Sequence, residues 1–219
     1  MLSLVTTSDG SHTIKNETTG DTYHSIHGAV QESQHVFIKN GLLHYVEKFS
    51  SKKIHILEIG LGSGLNALLT YKAQSQLNSE IEYTALEPFP LEEEFYRQLN
   101  YDSQKALQTI HKSEWENPIP LSGDFTLFKS KAGIQSVDLP HNHFDVVYFD
   151  AFAPNSQPEM WTLDIFSKLR NCMRAPSVLT TYCAKGEVKR TLKAAGFTIE
   201  SLPGPPGKRE MVRAMITSN

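Results

Sequence analysis

The 219 residues contain little that would tie the chain to an oxidising compartment or a membrane, or to nucleic acid by charge alone. There are two cysteines, Cys172 and Cys183, and they do not form a C-x-x-C pair. Reduced, buried thiols are the expectation, and a disulfide framework is excluded. No apolar run approaches a membrane span, and residues 1–10 lack the apolar core of a signal peptide. A cytoplasmic location without a membrane partner is therefore expected. The net charge is −3, whereas a protein that grips nucleic acid by charge alone is usually basic. An RNA partner would have to be held by a local patch, with modest affinity from phosphate contacts. Internal repeats and low-complexity linkers are missing as well. The 39% of hydrophobic residues suffices for one core, with a small N-terminal addition.

The chain is organised around residues 53–66, KIHILEIGLGSGLN. A short apolar run ends in Gly60, Gly62 and Gly64 and passes into a helical pattern, the opening of a nucleotide-binding α/β domain. Glycines let the backbone turn sharply and let a ligand approach backbone N–H groups at a helix start. The dinucleotide fingerprint is G-x-G-x-x-G. Here the spacing is G-x-G-x-G, preceded by Glu58, which disfavours NAD-dependent chemistry. This variant resembles the first motif of class I S-adenosylmethionine-dependent methyltransferases, whose glycine loop holds the methionine end and ribose of the cofactor. The resemblance implies S-adenosyl-L-methionine as cofactor.

The remaining pattern alternates strand and helix. Residues 2–7 and 12–15 flank an Asp-Gly turn and read as a hairpin. One or two helices follow from about residue 29 and cap the sheet. Leu65, Leu68, Leu69 and Ala73 recur at helical spacing; residues 80–87 (EIEYTALE) read as the second strand, and residues 118–121 lead into a third strand ending at Gly123-Asp124. Residues 143–149 (HFDVVYF) form a continuous apolar strand, as expected for one buried on both faces. A helix over 158–173, a strand at 178–182, a helix at 188–195 and two strands at 197–202 and 211–216 complete the order. The expected fold is α/β and Rossmann-like. It has a mostly parallel seven-stranded sheet with helices on both faces, a C-terminal antiparallel edge and a short N-terminal hairpin. Residues 1–50 make the hairpin and capping helices, and 51–219 the cofactor-binding domain.

In open α/β sheets the ligand sits at the carboxyl ends of the strands, where strand order reverses. Glu58, Glu87, Asp124 and Asp150 fall at expected strand ends. The interval from Gly64 to Glu87 suits an acid that accepts both ribose hydroxyls. Asp124 resembles the acid that meets the adenine amino group, and Asn66 either meets the methionine carboxylate or caps the helix. Glu58 orients the loop or contacts the cofactor indirectly. Asp150 opens the loop DAFAP and is the catalytic candidate. An amine attacking a sulfonium methyl must be neutral, and a carboxylate accepting its N–H can orient it and stabilise the cationic product. Most of the acceleration would come from aligning the two reactants.

With DAFAPNSQPEMW in view, the chain resembles the methyltransferase domain of the bifunctional MnmC family of tRNA wobble-uridine enzymes, and its stand-alone relatives. The matching stretches are DTYHSIHGAVQESQHVFI, LEIGLGSGLNALL, ALEPFPL, DVVYFDAFAPNSQPEMWT and GPPGKREMVRA. The resemblance implies methylation of 5-aminomethyl-uridine, or its 2-thio form, at the wobble position of tRNA. Gly60, Gly62, Gly64 and Glu87 match cofactor positions, Asp124 less securely, and Asp150 matches the active-site acid. Ala151 departs from the glycine often found after that acid. The family's flavin-dependent oxidase domain has no counterpart here, so no flavin chemistry is expected, and a separate flavin oxidase is the expected supplier of the amine. Tyr23, Phe152 and Pro154 are placed with the substrate. Phe152 and Trp161 are candidates for stacking on a uracil, although Trp161 also has the spacing of a core residue. Lys208 and Arg209, beside a Gly/Pro loop, are candidates for tRNA phosphate.

His24 and His27 lack further ligands at suitable spacing, and His141 and His143 read as a polar loop, so no metal is expected. Two alternatives remain. An aminopropyltransferase of the spermidine-synthase type shares the sheet and an acid at the fourth strand end, but usually carries a longer β domain and a different glycine turn. A non-catalytic S-adenosylmethionine-binding module would keep the cofactor site and be indifferent to Asp150.

Overall fold

The computed structural model describes residues 1–101 and 104–217. Strands β1 (Leu2–Thr6) and β2 (His12–Asn16) pair antiparallel around Asp9-Gly10, as the turn chemistry predicts. One continuous helical run follows, made of α1 (Ala29–Ser33), a π-helical stretch (Gln34–Leu43) and α2 (His44–Phe49). Gly41 lets this run lie close on the sheet, because a Cβ there would come within 3.2 Å of Thr180 and Tyr148 side-chain atoms. Ser50, in the left-handed region at φ 48°, ends it.

The α/β part runs β3 (Lys53–Ile59), α3 (Leu65–Gln74), β4 (Glu80–Leu86), α4 (Glu93–Tyr96), α5 (Gln104–Lys112), β5 (Ile119–Ser122), β6 (Phe125–Ser130) and β7 (Phe144–Phe149). A single 3₁₀ turn (Pro158–Trp161) then leads into α6 (Leu163–Cys172), followed by β8 (Met173–Thr181), α7 (Gly186–Ala194), β9 (Thr198–Pro203) and β10 (Glu210–Ile216).

These strands form one eight-stranded sheet in the order β5-β6-β4-β3-β7-β8-β10-β9. The five central strands are parallel, β10 is antiparallel between β8 and β9, and β5 is antiparallel to β6 at the far edge. The Rossmann-like class and the antiparallel C-terminal edge are as expected, with eight strands where the pattern gave seven. The eighth arises because residues 119–130 are a hairpin of two strands, so Gly123-Asp124 is the turn between them.

All six residues of β7 are buried, as its unbroken apolar pattern implies. Ile56, Tyr83 and Tyr148 face one layer, which the N-terminal run joins through Ile14, Phe37 and Leu42. Leu57, Val147, Phe149 and Phe166 face the other. Strand order reverses between β3 and β7, and the cleft opens at their carboxyl ends. Cys172 and Cys183 are buried free thiols. Among the described residues no helix is long and apolar enough to cross a membrane.

Candidate active site

A cleft of about 880 Å³ lies over the carboxyl ends of β3, β4, β7 and β8. Its floor is the loop from Gly60 to Ser63. Gly60, at φ 89°, lets the ends of β3 and β7 touch, since a Cβ there would stand 2.9 Å from the Asp150 carbonyl oxygen. Across the loop, Gly62 N–H donates to Glu87 Oε2 and Phe89 N–H donates to Glu87 Oε1, both at 2.9 Å. Two backbone donors thus fix the plane of a nearly buried carboxylate at the end of β4. Burial raises the Glu87 carboxyl above its ordinary range, and the two N–H groups oppose that shift.

Asp150 follows β7 directly, with its N–H bonded to the Ile59 carbonyl at 3.1 Å. Asn66 Nδ2 donates to its Oδ2 at 2.8 Å. The loop after Asp150 is pinned by side chains. Tyr182 Oη donates to the Ala151 carbonyl at 2.9 Å, Trp161 Nε1 donates to the Phe152 carbonyl at 2.8 Å, and Phe152 N–H donates to Gln157 Oε1 at 3.3 Å. Burial pushes the Asp150 carboxyl up to about 7, helped by the nearby Glu32 charge and opposed by Asn66 and Lys208. A carboxylate set near neutrality on a rigid loop is suited to accepting a proton as a reaction proceeds.

The hairpin and first helix supply the wall opposite. Tyr23 lies against Gly62, whose Cβ would come within 3.2 Å of its ring, and packs edge-on to Phe152 with centroids 5.4 Å apart. Beside them the buried Glu32 accepts from Ser25 N–H at 2.8 Å and from Lys208 Nζ, which also sits 3.7 Å from the Tyr182 ring centroid. His24 is buried in the same wall, and burial pushes it down to about 4, so it is neutral at pH 7.

Gly60, Gly62, Glu87, Asp150, Tyr23, Phe152 and Lys208 therefore meet around one space. The other expected site residues do not line it. Asp124 sits in the β5–β6 turn, its carbonyl bonded to Ile81 N–H at the amino end of β4, the far end of the sheet. The corresponding carboxyl end belongs to β6, which delivers Gly133, Ile134 and Gln135 to the cleft. Glu58 is fully buried within β3, beneath the floor. Gly64 turns toward α5, where a Cβ would meet His111 Nε2 at 2.9 Å. Asn66 reaches Asp150 and leaves the capping position of α3 to Gly64. Arg209 is exposed, Pro154 is outside the cleft lining, and Trp161 is core against Phe149 and Phe166. Lys208 is engaged with Glu32 and Tyr182, which removes it as a simple phosphate contact.

The residues present fit a sulfonium nucleoside. Glu87 offers a held acceptor, and the Gly60–Ser63 backbone gives close approach where a Cβ at Gly62 would press on Tyr23. Tyr182 and Gln135 were not singled out from the sequence, while Glu32 lies in the stretch DTYHSIHGAVQESQHVFI whose resemblance placed it near the substrate pocket. Tyr182 was within reach, since it stands directly after a strand, whereas Glu32 arrives from a distant helix by tertiary packing.

A family profile described as S-adenosyl-L-methionine-dependent methyltransferase matches residues 90–217. The chain is 30% identical, over an alignment of 221 positions with gaps that takes in 88% of the chain, to the tRNA 5-methylaminomethyl-2-thiouridine biosynthesis bifunctional protein MnmC of Aeromonas salmonicida, and it covers 32% of that protein. It spans about a third of the length of the curated relatives it matches. The crystal structure of MNMC2 from Aquifex aeolicus superimposes over 100% of the chain and 72% of that structure, with a TM-score of 0.81 and 26% identity. Spermidine synthase from Thermotoga maritima shares the fold at a TM-score of 0.56 and 12% identity, over 94% of the chain and 68% of the synthase.

Proposed function

The chain belongs to the S-adenosyl-L-methionine-dependent methyltransferase family, and from that premise we propose that it methylates the primary amine of 5-aminomethyl-uridine, 2-thiolated or not, at the wobble position of tRNA. The product is the 5-methylaminomethyl nucleoside. The names of the relatives support this reading, and one observation carries it: Asp150, its carboxyl raised to about 7, stands on the cleft floor beside the glycine turn.

S-adenosyl-L-methionine supplies an electrophilic methyl on a sulfonium. When it is bound, Glu87 would accept from the ribose hydroxyls, and the Gly60–Ser63 backbone would give it close approach. Asp150 accepts an N–H of the neutral amine, aims the nitrogen lone pair, and takes up the proton that the product ammonium sheds. Asn66 holds that carboxylate in orientation. Tyr23 and Phe152 form an apolar wall for a uracil ring, and Pro154 stiffens the loop that carries it. Arg209 meets backbone phosphate at the rim. The primary amine must come from a reaction that removes a carboxymethyl group from the nucleoside.

The aminopropyltransferase alternative rests on a shared fold alone. Incubating the chain with labelled S-adenosyl-L-methionine and tRNA lacking the final methyl, followed by nucleoside analysis, tests the proposal. Label in the methylaminomethyl nucleoside is the expected result. Turnover of decarboxylated S-adenosyl-L-methionine with putrescine, and none on tRNA, would reverse it.

A further inference from the structure

The amino ends of the parallel strands carry a second polar cluster, at the end of the sheet opposite the cleft. His55 of β3 and Glu82 of β4 are register partners, so their side chains share a face. His143 precedes β7, its N–H bonded to the Cys172 carbonyl at 2.8 Å. The sequence separates these residues widely, and only the sheet brings them together. His55 Nδ1 lies 3.0 Å from Glu82 Oε2, is buried, and has no hydrogen-bond partner among the described residues. The His55 and His143 rings stand 4.2 Å apart, and one donor atom from each of the three residues falls within 4.8 Å of the others.

We propose that His55, Glu82 and His143 bind a first-row divalent cation of the zinc class. Two imidazoles and a carboxylate suit such an ion, with a fourth position left for water. Bonds of about 2.0–2.1 Å place tetrahedral donors roughly 3.3 Å apart, close to the His55–Glu82 spacing. Lys53 bonds Glu82 Oε1 at 2.5 Å and leaves Oε2 facing His55; being half-exposed, it can leave when a cation arrives. Asp145, the neighbouring carboxylate, is saturated by Arg174, Tyr45 and the His55 N–H, so it balances Arg174 and adds no ligand. The ion would clamp β4, β3 and β7 together where they begin.

The test titrates metal-stripped full chain with zinc chloride and with cobalt chloride, by calorimetry, visible absorption and thermal melting. Native protein should take up a single ion per chain, give the absorption of tetrahedral cobalt and melt higher with zinc. His143→Ala and Glu82→Gln should each bind about tenfold or more weakly, and His141→Ala, in the same loop, should bind as native. Their metal-free melting temperatures report folding separately. No saturable uptake, or uptake indifferent to both His143→Ala and Glu82→Gln, would overturn the proposal.

Discussion

Asp150 and Glu87 are both carboxylates at strand ends, yet their surroundings give them different work. Glu87 is held by two backbone donors, whereas the Asp150 carboxylate accepts from a side chain, Asn66 Nδ2. Asp150→Asn should leave S-adenosyl-L-methionine affinity nearly intact while lowering kcat by about 10²-fold or more, measured by calorimetry and steady-state assay. The same variant should be more stable than native at pH 8. A carboxyl raised from 3.8 to about 7 favours the fold when protonated, so its contribution is lost as pH rises from 3.8 through about 7. Asparagine removes that loss, and urea unfolding at pH 5 and pH 8 reads the difference. Asn66→Ala withdraws a bond that lowers the Asp150 pKa, so the acidic limb of the kcat/KM profile should move to higher pH. Glu87→Gln should weaken cofactor binding about tenfold with a smaller effect on kcat.

At the scale of elements, the glycine turn was legible because β3, Gly60 and Gly62 carry their signals within a few residues. Gly60→Ala forces both a left-handed φ and a contact with the Asp150 backbone. It should cost about 1–3 kcal/mol by chemical denaturation and abolish cofactor binding as β3 and β7 part. The β5–β6 hairpin was not read correctly, and with it Asp124. Phe125 and Leu127 do alternate, but Lys129 in the same strand looks like a surface residue. It is in fact buried, donating to the Ile110 and His111 carbonyls that end α5. The sequence cannot show that a lysine will cap a helix from a neighbouring strand. The pairing of Glu32 with Lys208 was illegible for a similar reason, since it depends on a helix folding back over the sheet.

For the molecule as a whole, the parallel sheet and its antiparallel C-terminal edge followed from the alternation of elements, and the resemblance over residues 21–38 pointed that segment at the cleft, while the order of the strands was not legible. Tyr23 gains meaning from lying against Gly62, and Glu32 from standing near Asp150. The overall charge of −3 sets a further expectation. Binding to tRNA should weaken with salt along a shallow slope, and Arg209→Ala should reduce that slope by about one, as filter binding across a salt series would show.

The placement of β10 also bears on how the protein is made. β8 gains its outer neighbour only when residues 210–216 arrive, because the intervening β9 pairs with β10 and not with β8. During synthesis the emerging chain must therefore carry a naked β8 edge until residues 210–216 have left the ribosome, the interval in which such a fold is most open to mispairing with a neighbour.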